Sequence, residues 1–323
     1  MKFRELIDLF FILSLITFTA CSTKRPPVDT DGRPLIIKSG TIDCDLVETT
    51  PVVFKKKVYR FEYVRPGYWD NKTGDSYFRF IDYETGKPTK PFAKGFHLGS
   101  AFVYNGMIYV TAVDIWDGER IYLFASNDLE NWDRWMAFEL PGFGIFNTSL
   151  TLAENKYVLM FEIGKPASEA GERFTARFAT STDLKKWEIL PTEYNYAMDR
   201  YTAPHCLRYL NGYYYDFYLE AYNGYETRVV RSKDLILWVA SSLNPVLKAS
   251  IEDKQIVNKK LPEKIVEKIA NAKDINNSDI DFCEFNGKLI INYSWGNQQG
   301  EEFLAEAIYE GTLAQFLEGW FPD

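Results

Sequence analysis

Two side chains that dominate metal and redox chemistry are scarce in these 323 residues. There are 2 histidines and 4 cysteines. No His/Cys group has the spacing of a zinc site, so a catalytic transition metal is not expected. No long Lys/Arg block follows the first residues. With 37 Lys+Arg against 45 Asp+Glu, the formal charge is −8, and a nucleic-acid footprint is not expected. Long apolar runs are missing too. The longest, Leu9 to Ala20, is about 12 residues and falls short of the roughly 20 that span a bilayer. Beyond Cys21 the cysteines are Cys44, Cys206 and Cys283, an odd set that argues for buried free thiols over a dense disulfide framework. What is plentiful is aromatic surface: 24 Phe, 21 Tyr and 8 Trp make up 16 % of the chain. Flat rings suit strands and sugar-facing clefts alike.

The short apolar run has the form of an export signal. Lys2 and Arg4 precede it, Asp8 makes it a poor membrane helix, and Thr19-Ala20 places small residues before Cys21. This resembles a bacterial lipoprotein lipobox, with Phe18 a loose fit, and implies lipidation at Cys21. Residues 1–20 are therefore read as a signal peptide and 21–34 as a polar, Pro-rich tether. Residues 35–323 form the mature domain. No Lys followed by an acidic pair follows Cys21. That favours the periplasmic side of the outer membrane, with the cell surface as the alternative.

The mature chain repeats. Five apolar strands each lead through a tight turn into an aromatic strand, with turn centres at Lys56, Asn105, Asn155, Asn211 and Asn286. Three turns are Asn-Gly, the strongest short hairpin signal, because both residues tolerate positive φ. A strand-built period of about 50 residues predicts an all-β fold, a five-bladed β-propeller. A second motif, S-x-D-L-x-x-W, recurs at Ser126–Trp132, Ser181–Trp187 and Ser232–Trp238. Its Ser and Asp are suited to closing the turn between third and fourth strands, with Trp packed on the neighbouring blade. The last interval is longest and holds a short helical insertion before the fifth blade, about Leu261 to Lys273, expected to cap the rim of the site. Another short helix is expected within Gly311 to Phe321. Leu35 to Ile42 is expected to close the ring as the outer strand of the last blade.

In a propeller the first strands converge on the axis, and the second strands return to the same face. First-strand starts carry Asp45, Glu48, His97, Asn147, His205, Asp279 and Asp281. Second-strand ends carry Arg65, Asp114, Glu162, Glu220, Trp295 and Asn297. Polar residues from all five repeats, both histidines among them, point to a functional funnel. Glu48, His205, Asp281, Glu162 and Glu220 are the catalytic candidates. Asp45, Arg65, His97, Asp114, Asn147, Asp279, Trp295 and Asn297 are the binding candidates, Trp295 as a sugar-stacking platform. Each also has a structural reading, as a strand-end cap, a satisfied core group or a loop tie.

On the repeat, the turns and the acidic strand starts, residues 40–320 resemble the five-bladed propeller glycoside hydrolases, family 43 and its relatives. The resemblance implies an inverting enzyme on arabinosyl, xylosyl or galactosyl linkages, with an acid and a base about 6.5–9.5 Å apart. The family's base is the Asp of an Asp-Pro pair, where this chain has Thr50-Pro51. Glu48, two residues earlier and so on the same strand face, is the substitute. The family's acid Glu is also missing, and the fourth unit opens Thr202-Ala203-Pro204-His205. The related family 117 implies His205 as an acid. These departures keep a non-catalytic glycan-binding propeller as the alternative. No required cofactor is legible; the metal is unknown, and a structural calcium on the axis stays open. The expected partners are an oligosaccharide and, through Cys21, a membrane, with no nucleic acid.

Overall fold

The computed structural model describes residues 26–65, 74–221 and 224–322. Cys21 and the signal segment lie outside the described residues. Strand β1 (Ile37–Cys44) is followed by a first antiparallel meander of β2 (Thr49–Phe54), β3 (Lys57–Val64) and β4 (Tyr77–Asp82). The second holds β5 (His97–Tyr104), β6 (Met107–Val113), β7 (Arg120–Ser126) and β8 (Asp133–Glu139). The third holds β9 (Gly144–Ala153), β10 (Lys156–Lys165), β11 (Thr175–Ser181) and β12 (Glu188–Ile189). In the fourth are β13 (His205–Leu210), β14 (Tyr213–Ala221), β15 (Tyr225–Ser232) and β16 (Trp238–Ala240). The fifth comprises β17 (Asn276–Phe285), β18 (Lys288–Gly296) and β19 (Glu302–Tyr309).

First strands touch in a closed circuit: β2 meets β5, β5 meets β9, β9 meets β13, β13 meets β17, and β17 returns to β2. This is a β-propeller. Its ring is closed by β1, which pairs antiparallel with β19 from Ile37–Ile308 to Cys44–Phe303 and so supplies the fifth meander's outer strand. Among the described residues the first meander has no fourth strand; isolated bridges Phe78–Phe92 and Ile81–Pro88 stand in its place.

Local chemistry sets these turns. Lys55-Lys56, Asn105-Gly106, Asn211-Gly212 and Asn286-Gly287 all have positive φ, the geometry that matches strand twist in two-residue hairpins. In each S-x-D-L-x-x-W copy the serine Oγ accepts from the amides of Asp and Leu, as at Ser181 with Asp183 (3.2 Å) and Leu184 (2.9 Å). The Asp carboxylate then accepts two further amides, and these bonds hold it below the usual carboxylate range. Each Trp packs on the preceding meander: Trp132 stacks with Phe80, Trp187 meets Phe138, and Trp238 stacks with Phe178.

Helices α1 (Ala167–Ala170), α2 (Glu263–Asn271) and α3 (Leu313–Gly319) complete the fold. α2 buries Ile269 among Trp295 and Phe303 of the fifth meander. It does not cap the site, because its apolar stripe has already found a sheet to cover. The tether also differs from expectation. Residues 26–34 fold back on themselves, with Leu35 N–H donating to Pro27 O at 2.9 Å and Arg33 Nε to Leu243 O at 2.9 Å. Cys44, Cys206 and Cys283 are free thiols, with Cys206 buried.

Candidate functional site

Two adjoining cavities occupy the place where the first strands converge. The narrow one, about 40 Å³, is walled by all five first strands, from Thr50, Gly99, Thr148, Cys206 and Asp281 among others. The wide one, about 220 Å³, opens above it between Glu48, Arg65, Asn147, Glu162, Asp279 and Glu302. Glu48, Asn147 and Asp279 border both.

Backbone irregularities aim these groups. β17 carries a bulge between Ser278 and Asp281, and Asp279 within it sits at φ 52°. A bulge re-aims a side chain that regular pleating would send elsewhere. The Asp279 carboxylate accepts hydroxyl bonds from Ser278 (2.6 Å) and Ser294 (2.8 Å). Burial, with the nearby Glu48 charge second, pushes it up to about 7. Glu302 accepts from Asn276 Nδ2 (3.1 Å) and the Gln298 amide (2.8 Å), and burial pushes it up to about 8. Glu162 is wholly buried and held well above the carboxylate range by desolvation. Asn147 donates to its Oε2 at 3.0 Å, while its Oε1 is buried without a partner among the described residues. Glu48 faces these groups with the Arg65 guanidinium at 3.1 and 3.3 Å from its two oxygens. An acid with a cationic partner thus faces carboxyls that desolvation raises above their ordinary range.

An aromatic wall completes the wide cavity. Trp116 meets Phe146 edge to face at 5.5 Å, Phe146 meets Phe174 at 4.6 Å, and Phe174 meets Tyr201 at 5.7 Å.

Glu48, Arg65, Asn147, Glu162 and Asp279 come together as the sequence suggests. Other candidates do not join them. His205 and Asp281 border only the narrow cavity. The His205 side chain is fully buried with Nδ1 2.8 Å from Asp216, and Asp281 is tied to Arg208, the Phe282 amide and Cys206. His97 borders neither cavity; its Nδ1 pairs with the Tyr63 hydroxyl at 2.5 Å. Burial, with Arg65 beside it, lowers it to about 4. Glu220 is a rim group between Arg200 (3.3 Å), Arg228 (3.6 Å) and the Tyr218 hydroxyl. Asp114 serves Arg120 and the Ile115 amide, and Asp45 reaches Lys268 at 3.4 Å. Asn297 spends its carbonyl on the Gln299 and Glu301 amides of its own loop. Trp295 is no sugar platform: it is fully buried, stacked on Phe303 at 4.4 Å, with Nε1 bonded to Thr41. Among the described residues no group of three or more His, Cys, Asp or Glu is arranged to hold a metal ion.

The sequence reading missed Glu302 and the aromatic wall. Glu302 opens β19 directly opposite Gly296, the end of β18, so extending the strand-end rule to third strands would have found it. Trp116, Phe174 and Tyr201 sit on connections without periodicity, and no pattern marks them.

No family model and no curated protein matches the sequence. Solved structures do match the fold. A thermostable family-43 glycoside hydrolase aligns with TM-score 0.58 over 84 % of this chain and 92 % of its own, at 10 % identity. The chain has the fold of the family 43 glycoside hydrolases. CoXyl43, a family 43 β-xylosidase/α-arabinofuranosidase from a compost microbial metagenome solved with xylotriose, aligns with TM-score 0.53. It covers 86 % of this chain and 97 % of its own at 13 % identity. An exo-1,5-α-L-arabinanase from a bovine ruminal metagenomic library aligns with TM-score 0.54 at 11 % identity, over 84 % and 95 % of the two chains. Within this glycoside hydrolase fold, the wide cavity lies beside the convergence of the first strands, lined by residues of β5, β9, β10, β17 and β19 and by the segments that flank β2, β3 and β13.

Proposed function

We propose that the chain is an exported, Cys21-anchored glycoside hydrolase that cleaves oligosaccharides in the wide cavity with inversion. Glu162 is the general acid and Glu48 the general base. Glu48 takes a proton from water as the water oxygen bonds to the anomeric carbon. The glycosidic bond breaks, and Glu162 gives its proton to the departing oxygen. Asp279, close enough to Glu48 to feel its charge, holds a second proton near the reacting ring. The aromatic wall offers faces for the sugar's C–H surface. The observation that carries this reading is the meeting, in one aromatic-walled pocket, of Glu48 facing a guanidinium with Glu162, whose burial holds its carboxyl well above the usual range.

One observation favours glycan binding without cleavage: Arg65 Nη1 lies on both oxygens of Glu48, an ion pair that suits a fixed binding group as well as a base. The test is a screen of the purified protein against arabinosyl, xylosyl and galactosyl oligosaccharides, beside Glu162→Gln and Glu48→Gln. Turnover that drops at least about a hundredfold in both variants supports hydrolysis. Calorimetric glycan binding with no turnover in any sample establishes the binding reading instead.

A further inference from the structure

We propose that the outer edge of the fifth meander, along β1, lies against the lipid surface and fixes how the propeller is presented. The inference rests on the anchorage at Cys21 proposed above. A set of aliphatic side chains is bare along this edge: Val28 (51 % exposed), Ile37 (51 %), Ile251 (75 %) and Val257 (40 %). The segments that carry them adjoin. Val28 bridges to Pro34, and residues 35–38 border one groove with Lys248, Ser250 and Glu252, on either side of Ile251. Lys38 Nζ donates to Lys248 O (2.7 Å) and Ser250 Oγ (3.0 Å), and Val257 N–H donates to Thr41 O (2.9 Å). Lys248, Lys259 and Lys260 are exposed on these segments, as is Asp31, with Asp29 and Glu252 half-buried beside the groove. Aliphatic tips among lysines suit the boundary between acyl chains and anionic headgroups.

The leash identifies the occupant. Because residues 26–34 are docked on the domain, only Ser22 to Arg25 separate Cys21 from the folded part. Fully extended, that stretch reaches roughly 18 Å. A domain of this length has a radius of gyration of about 19 Å, so an acylated Cys21 cannot let it turn its far side to the bilayer. The edge that receives the leash, which is the aliphatic edge, must face the lipid. None of its residues borders the wide cavity, so the site stays open to soluble glycans.

The test uses the full chain, made with its signal segment and reconstituted into phosphatidylethanolamine–phosphatidylglycerol vesicles containing nitroxide-labelled lipid. Bimane is attached at Ile251→Cys or, as control, Met136→Cys on β8 of the second meander, with the signal of the unsubstituted chain subtracted. Quenching at least about twofold stronger at position 251 than at 136 is expected for an interfacial residue. Equal quenching overturns the proposal and leaves anchorage standing. So does an unquenched position 251 that crosslinks to a second copy, which would make the edge a dimer interface. A full chain recovered in the soluble fraction, or a Cys21→Ser chain that stays on the membrane, overturns the anchorage and this inference with it.

Discussion

The narrow and wide cavities share three acidic or amide side chains yet surround their buried carboxyls with different partners. In the narrow cavity Asp281 has Arg208, and behind it Asp216 has His205. In the wide cavity Glu162, Asp279 and Glu302 are buried with amide and hydroxyl donors and no cation of their own. Arg208 and Asp281 tie the first strands β13 and β17 together. Desolvation raises the carboxyls of both cavities above their ordinary range, and in the wide one no ion pair on Glu162, Asp279 or Glu302 opposes it.

The sharpest way to break that contrast is to exchange stability against activity. His205→Ala strands Asp216 in the core and is expected to cost about 3–5 kcal/mol in denaturant unfolding, with turnover per folded molecule retained. Glu162→Gln should do the reverse, leaving the unfolding midpoint near the parent's while turnover is lost. Loss of turnover in a folded His205→Ala protein would move the acid to the narrow cavity.

The pH dependence comes next. An unfolded chain loses its Asp and Glu protons near pH 4, whereas folded Asp279 and Glu302 keep theirs to about 7 and about 8. The folded state binds more protons over that interval, so stability is highest near pH 4 on their account and falls as pH rises toward 8. Thermal unfolding between pH 4.5 and 8.5 should show this slope, and Glu302→Gln or Asp279→Asn should flatten it. A parent protein whose Tm rises across the interval would contradict the unpaired environment.

Smaller effects separate the two tryptophans. Trp116→Ala should weaken glycan affinity by about 0.5–1.5 kcal/mol in calorimetry. Trp295→Phe should leave affinity unchanged and lower only Tm, because Trp295 is packed under Phe303. The smallest effect belongs to the turns: Ser181→Ala removes an acceptor for two amides and should cost about 1 kcal/mol in unfolding, with no effect on any ligand.

Local and periodic features were readable from the chain without coordinates. Asn-Gly pairs, alternating apolar strands and the S-x-D-L-x-x-W copies act within a few residues, and they locate the first hairpin of every meander and the last turn of three. Position along a strand also sufficed to gather Glu48, Arg65, Asn147, Glu162 and Asp279 at one mouth. The same rule over-collected, because it cannot see partners distant in sequence. Nothing near Asp281 announces Arg208, and nothing near Trp295 announces Phe303 as its lid or Thr41 as its acceptor.

Strand order, turn chemistry and the polar character of the funnel are written into the chain, since they follow from short-range sterics and a period of about 50 residues. Which carboxyls are paired is written only in the folded ring. Whether a buried acid keeps its proton depends on charges brought within a few ångströms by five separate repeats, a distance that no spacing along the chain encodes.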